Sequence, residues 1–391
     1  MKATNKKHIP ASAVAPILVV LSALAAPPGF AVDNTLESYL PPSVKAFRDT
    51  FNIEFEALLM VDLASARGAY ADEESISEAS IRRARLGMSS SFNQLSADVS
   101  LNVDESLSAD SLHKATIAYK FNKALSLEGG LMKQPFGLEG STSSKHLRTF
   151  ERSMASDAFT PARGYGIAIT HESSAHFASL GFFGGRRETD VQDVSARIVW
   201  SPMNDKRQVL HFGASVNQGN YSGLEYQIRN SGNIAVSNNF IRSARYYPDT
   251  VQTVSIEGAW SYGSLLIQSE WFAQMLTLAG NQSDSDPVFT GGQVQAAWVF
   301  AGGYRRYKGQ RFTRMAGTQH HPTIELVAGA GVVDARDADR GDQAWELTLG
   351  VNVQMSDQIS FSTQLQSVTV QDNNDGEVTG NGLQLRLVAA L

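Results

Sequence analysis

Beyond Thr50 the chain alternates. Phe51, Ile53, Phe55, Ala57, Leu59 and Val61 put apolar side chains at every second position, and Leu95, Ala97, Val99, Leu101 and Val103 repeat this with Ser96, Asp98, Ser100 and Asn102 between them. The row returns in Ile324, Leu326, Ala328, Ala330 and Val332, and again in Leu383, Leu385, Leu387, Ala389 and Leu391. Side chains of an extended chain point alternately to opposite faces, so each segment reads as a strand greasy on one face and polar on the other. The pattern predicts strands over 51–62, 79–91, 95–103, 112–121, 125–132, 164–171, 177–183, 192–200, 207–216, 251–261, 264–276, 292–301, 323–333, 343–353, 358–369 and 382–391, about sixteen in all.

The connections alternate too. "FNQ", "FNKA", "ESSAH", "SPMNDK" and "SYGS" are short, whereas those around 64–78, 134–163, 217–250 and 277–290 are long. An even number of strands with short turns on one side and long loops on the other describes an all-β, transmembrane antiparallel β-barrel. A soluble sandwich or solenoid would also alternate. Trp200, Trp260, Trp271, Trp298 and Trp345 all fall on the apolar parity, mostly towards strand ends, where bilayer interfaces favour amphipathic rings. Hydrocarbon tolerates no unpaired strand edge, and one barrel accounts for residues 51–391 without a second sheet.

Residues 1–31 carry Lys2, Lys6 and Lys7 and an apolar run ending in "SALAAPPGFA", the layout of a secretory signal peptide cut after Ala31 or Ala25. Residues 32–50 are expected to be a short lead-in. Removing the signal takes three lysines and no acid from 33 basic and 39 acidic side chains, leaving a formal net charge of −9. That balance argues against nucleic-acid binding. With no cysteine, neither disulfides nor thiolate metal sites hold the fold.

If the apolar parity faces lipid, the other lines the lumen. The acids on it are Glu54, Glu56, Asp98, Glu128, Glu257, Glu270, Glu325 and Glu346; the bases are Arg83, Arg85, Lys114, Lys120, Arg197 and Arg386. Burying such groups dry and unpaired is prohibitive, which predicts a water-filled lumen with a mixed, slightly acidic wall. Two segments depart from that balance. Residues 133–163 hold Lys133, Lys145, Arg148, Arg152 and Arg163 against Glu139, Glu151 and Asp157; residues 302–322 hold Arg305, Arg306, Lys308, Arg311 and Arg314 with no acid. Bases at a constriction favour anions, because guanidinium and ammonium groups replace part of an anion's hydration. Pro135, Phe136 and Gly137 break sheet pairing where the first segment leaves its strand. The second falls on the short-turn side, where twenty residues are too many: it holds a hairpin or the strand count is off by two.

"RRARLG" at 82–87, "MKQPFGLE" at 132–139, "FERS" at 150–153, "FTPARGYG" at 159–166, "QVQAAWVFAGGYRRY" at 293–307 and "AWELTLGVN" at 344–352 together resemble the phosphate-selective porin O/P family of Gram-negative outer membranes. The resemblance implies a sixteen-stranded homotrimeric porin whose third extracellular loop folds into the lumen. It also implies passage of phosphate or polyphosphate along basic residues and a setting of outer-membrane lipid and lipopolysaccharide. Arg83 and Arg85 match its lumen-facing bases, Lys133, Pro135, Phe136 and Gly137 its strand-to-loop break, and Glu151, Arg152, Pro161 and Arg163 its loop and exit. Two departures stand out: no long run of alternating arginines, and Leu391 at the end where such barrels usually carry an aromatic residue.

The expected function is a diffusion channel for small hydrophilic solutes, anion-preferring, with a non-selective porin or a surface receptor or adhesin as alternatives. A receptor would use the Asn/Ser-rich loop 217–250. No cofactor or metal is expected. An enzyme has little support: GxSxG, HExxH and P-loop motifs are missing. His171 and His176 flank a turn, and the side chains of adjacent His320 and His321 point apart.

Overall fold

The computed structural model describes residues 50–70, 75–103, 111–184, 191–234, 240–280, 286–317, 322–338, 340–372 and 376–391. The expected signal peptide and nearly all of the lead-in fall on residues 1–49, outside the described residues. The barrel is a compact unit of its own, Glu54–Leu391.

Sixteen strands close into one antiparallel barrel. They are β1 (Glu54–Arg67), β2 (Ser75–Phe92), β3 (Leu95–Asn102), β4 (Leu112–Lys120), β5 (Leu125–Met132), β6 (Gly164–Glu172), β7 (His176–Gly184), β8 (Gln192–Asn204) and β9 (Gln208–Asn220). The circuit continues through β12 (Pro248–Tyr262), β13 (Leu265–Leu278), β14 (Val288–Val299), β17 (Thr323–Asp334), β18 (Asp342–Gln354), β19 (Ile359–Asp372) and β20 (Gly376–Ala390) back to β1. Every strand expected from the alternation is present. All five tryptophans stay 39–53 % exposed, which puts their face outside the barrel rather than in a sandwich core.

The remaining strands form two small ladders inside long connections: β10 (Arg229–Asn230) with β11 (Ile241–Arg242), and β15 (Tyr304–Tyr307) with β16 (Phe312–Ala316). The strand count was right, and the long basic connection holds a hairpin. It enters the lumen from the short-turn, periplasmic side. From the opposite side comes the β5–β6 loop with two short helices, α1 (Leu138–Ser141) and α2 (Met154–Phe159).

The β9–β12 loop also turns inward. Its Ile228, Ile234, Ile241 and Tyr246 are at most 2 % exposed and join a cluster with Met154, Ala155 and Phe159 of α2 and Phe272, Leu276, Phe289, Val333 and Val368 of the wall. An apolar core therefore lies inside the barrel. This corrects the expectation of a wet lumen all round: the inward faces of β12, β13 and β14 are buried throughout, whereas those of β2 to β5 stay largely half-exposed. The open space is a crescent along the early strands.

Candidate pore constriction

The β5–β6 loop is docked on the far wall by carboxylates. After Lys133 the chain leaves the sheet at Pro135, and Phe136, fully buried, stacks on Phe272 with ring centroids 6.3 Å apart. Phe159 covers Phe272 from the other side of the loop at 5.9 Å. Gly137 adopts φ 65°, ψ 159°, a region open essentially to glycine alone, and a Cβ there would stand 2.9 Å from Glu270 Oε1. That turn aims the first amides of α1 at Glu270, whose oxygens accept from Leu138 N at 2.6 Å and Glu139 N at 2.9 Å. Glu346 likewise accepts from Met154 N at the start of α2, at 2.8 Å. Helix starts present unpaired N–H groups, so a wall carboxylate at each holds the loop by its exposed donors.

Glu139 is buried within the loop and accepts from Gln295 Nε2 at 2.7 Å and from the amide and hydroxyl of Ser153, both at 3.0 Å. Arg148, 5 % exposed, donates Nε and a terminal nitrogen to Gln295 Oε1, each at 3.1 Å. Burial, then the nearby Arg305, pull its guanidinium down to about 10, so it stays charged at neutral pH.

On the near wall the tether is Glu151. A register shift opposite Met60 and Val61 leaves Arg82 an extra residue in β2, so consecutive Arg82 and Arg83 both turn inward. Arg82 Nε and Arg83 terminal nitrogens reach Glu151 at 2.9 and 2.8 Å, and Arg386 reaches it at 3.0 Å while forking Asp62 at 2.6 and 2.7 Å. Burial would raise the Glu151 carboxyl, but Arg83, Arg82 and Arg386 together outweigh it and hold it well below the usual carboxylate range.

The hairpin is pinned by two buried networks. Arg305 pairs with Glu325 and donates to the His146 carbonyl at 2.9 Å, which ties hairpin to loop. Its tyrosine, Tyr307, meets His211 Nδ1 at 2.6 Å, and His211 Nε2 lies 3.0 Å from Glu257, the carboxylate that also takes Arg197 at 2.6 Å. Beneath the loop, a cavity of about 350 Å³ opens beside β18 to β20 and β1; Lys145, Arg148, Arg305, Arg314 and Arg386 line it with Asp357 as the acidic side chain.

The expected site residues thus divide. Lys133 and Arg152 are half-buried on carbonyl partners: Lys133 Nζ donates to the carbonyls of Gly140 and Thr142 at 2.6 and 2.7 Å, and Arg152 to those of Glu139 and Thr142, both at 2.9 Å. Carbonyl partners leave the positive charge uncancelled. Burial, then the charges of Arg152, Arg163, Arg311 and Arg85, hold the Lys133 ammonium well below the usual lysine range. Arg163 meets His113 Nε2 at 2.9 Å and Arg85 meets Asn102 at 3.1 Å. Lys145 is exposed in the lower cavity, and Lys120 is exposed near the β4–β5 turn. Arg197 lies buried against Glu257, and Arg148, buried against Gln295, lines the lower cavity. His171 and His176 sit exposed at the ends of β6 and β7, and His320 and His321 lie outside the described residues.

The wall's acid count is corrected by burial. Glu257, Glu270, Glu325 and Glu346 are at most 5 % exposed and hold protein groups, so half of the eight acids expected on the wall never face the crescent. Sequence reasoning passed over Asp62, although it shares the inward parity of Glu54 and Glu56. It could not reach Arg82, which sits off-parity until the bulge is known.

A closed membrane-type barrel narrowed by an inward loop, with charge kept at the narrowing, defines a porin. The model of the phosphate-selective porin O and P family matches residues 52–390, and the chain belongs to that family. Porin O of Pseudomonas aeruginosa is 24 % identical over 320 residues, covering 70 % of this chain and 72 % of its own. Among solved structures, the outer-membrane expressed OmpT of Vibrio cholerae aligns with a TM-score of 0.57 at 11 % identity, over 87 % of this chain and 97 % of that one. The anion-selective porin from Comamonas acidovorans aligns with a TM-score of 0.56 at 12 % identity, over 87 % and 99 %.

Proposed function

We infer that the protein is an outer-membrane diffusion channel for small hydrophilic solutes with a preference for anions, and that the preference is set where the β5–β6 loop faces the β2–β6 wall. One observation carries this: Lys133 and Arg152 donate to carbonyls and pair with no carboxylate among the described residues, while four of the wall acids are buried as anchors. An anion exchanging part of its hydration for these donors gains what a cation loses, and no bond is made or broken. The family and the Comamonas relative's selectivity agree in sign. Lys145 extends the positive path into the lower cavity. Export by the signal peptide of residues 1–31, a homotrimeric assembly and contact with lipopolysaccharide complete this reading, on the sequence and on family likeness.

The test is the reversal potential of single channels in a potassium chloride gradient. The native chain is expected to favour chloride and the variant Lys133→Met/Arg152→Met to lose most of that preference; a native cation preference, or a preference untouched by the variant, would overturn it. Phosphate titrated into chloride separates a dedicated phosphate site, which blocks chloride at low concentration, from a general anion path.

A further inference from the structure

The buried network that holds the hairpin is short of hydrogens. Tyr307 OH lies 2.6 Å from His211 Nδ1, 2.7 Å from Ser201 Oγ and 2.7 Å from Gln310 Oε1. Ser201 Oγ lies 2.8 Å from that same Oε1, and His211 Nε2 lies 3.0 Å from Glu257 Oε1. Gln310 Nε2 donates to the Ser173 carbonyl, which turns its oxygen, an acceptor only, towards the two hydroxyls. Each of these five contacts needs a hydrogen between its atoms. Tyr307 and Ser201 bring one each, and a neutral imidazole brings one more. An imidazolium brings two. Only the charged ring donates to Glu257 and to Tyr307 together, which frees the Tyr307 hydrogen for Ser201 or Gln310.

The surroundings suit that charge. The ring is fully buried, and it is faced by Glu257 of β12, by Arg197 of β8, which shares Glu257 Oε1, and by Tyr307 of the hairpin. Glu270, the cross-strand partner of Glu257 on β13, adds a second carboxyl group. Arg311 of the hairpin and Glu172 at the end of β6 act on the cluster with opposite signs. Removing the proton leaves one contact of Tyr307 without a hydrogen, beside a ring shut off from water, and the hairpin loses a bond to the wall. We propose that a proton on His211 latches the hairpin into the lumen and makes it a pH-sensitive gate, seated while the ring is charged and loosened when the ring is neutral. His211 is a positioning residue, acting on the pore through Tyr307. The seated form binds the proton better, so its share is greatest at low pH and falls as pH rises through the range where histidine changes charge, about pH 5–8.

Two measurements test it, one of which needs no conduction. Nitrogen NMR of the histidine-labelled protein, with the His211 signals assigned by their loss in His211→Gln, is expected to show both ring nitrogens protonated near pH 5 and one near pH 8. A ring that carries one proton at both ends of that range, or two at both, overturns the proposal. In single-channel recordings, switching between current levels is expected to be about tenfold more frequent at the upper end than at the lower, the ratio that one hydrogen bond makes in an equilibrium. His211→Gln and Tyr307→Phe should each flatten that profile. Tyr307→Phe leaves every barrel strand unchanged, so it decides the matter where the buried His211→Gln assembles poorly, which heat-modifiable gel mobility checks. A pH profile that survives Tyr307→Phe, or faster switching in it at every pH with the slope intact, reduces His211 to a merely structural part and overturns the gate.

Discussion

Single residues carry opposite duties here according to what they touch. Lys133 and Arg148 stand fifteen positions apart in one basic loop, yet one is half-buried on carbonyl partners and the other is buried against Gln295. The Lys133 ammonium is held below the usual lysine range, and it is charged below its own pKa and neutral above it. Anion preference is therefore expected to decline as pH rises, at values where an ordinary lysine still holds its proton; Lys133→Arg should retain the preference there, as reversal potentials taken across the alkaline range would reveal. Gly137 fixes the direction of the loop. Gly137→Ala forces a side chain into a backbone region that disfavours it by of order 1–3 kcal/mol and towards Glu270. Looser docking should appear as noisier single-channel currents and faster proteolysis within 138–160.

At the scale of elements, the barrel strands were legible because their signal is local: alternation needs only neighbours two positions away, and all sixteen strands of the closed barrel appear where it predicts. The β15–β16 hairpin was only half legible. Four- and five-residue strands give too few alternations to read, and the meaning of Arg305 depends on Glu325, which belongs to the barrel wall. Removing one partner of such a buried pair is far costlier than removing both. Arg305→Met should destabilise by about 3–5 kcal/mol through the stranded carboxylate, and Arg305→Met/Glu325→Met by clearly less. Unfolding midpoints of the two variants in detergent would decide.

Taken whole, the barrel encloses an apolar core built from inward-turned loops and the later strands. The β5–β6 loop packs against the β9–β12 loop through α2 and meets the hairpin through His146 and Arg305, which leaves the inward faces of β2 to β5 the more accessible ones. The long Asn/Ser-rich loop that would have suited a receptor buries its isoleucines against α2 and the wall instead. Deleting 226–246 should uncover that apolar cluster, raise conductance and make the β5–β6 loop protease-sensitive, with cell binding unaffected. A deletion that alters cell binding while conductance stays constant would restore the receptor reading.

The sequence by itself determined the barrel, its strand number, the break at Pro135 and Gly137, and the concentration of positive charge in one loop. Each of these follows from spacing along the chain or from the bilayer's intolerance of an open edge. Which charges a solute would meet was decided only by the tertiary structure. Arg197 and Glu257 are 60 positions apart and Arg386 and Asp62 are 324 apart, and it is these contacts that withdraw charge from the water. A charge acts on a passing ion according to its burial and its partners, and both are set by chain segments far away in sequence. A list of acids and bases by parity therefore describes most of the wall, misses Arg82 where a bulge shifts the register, and leaves its electrostatics incomplete.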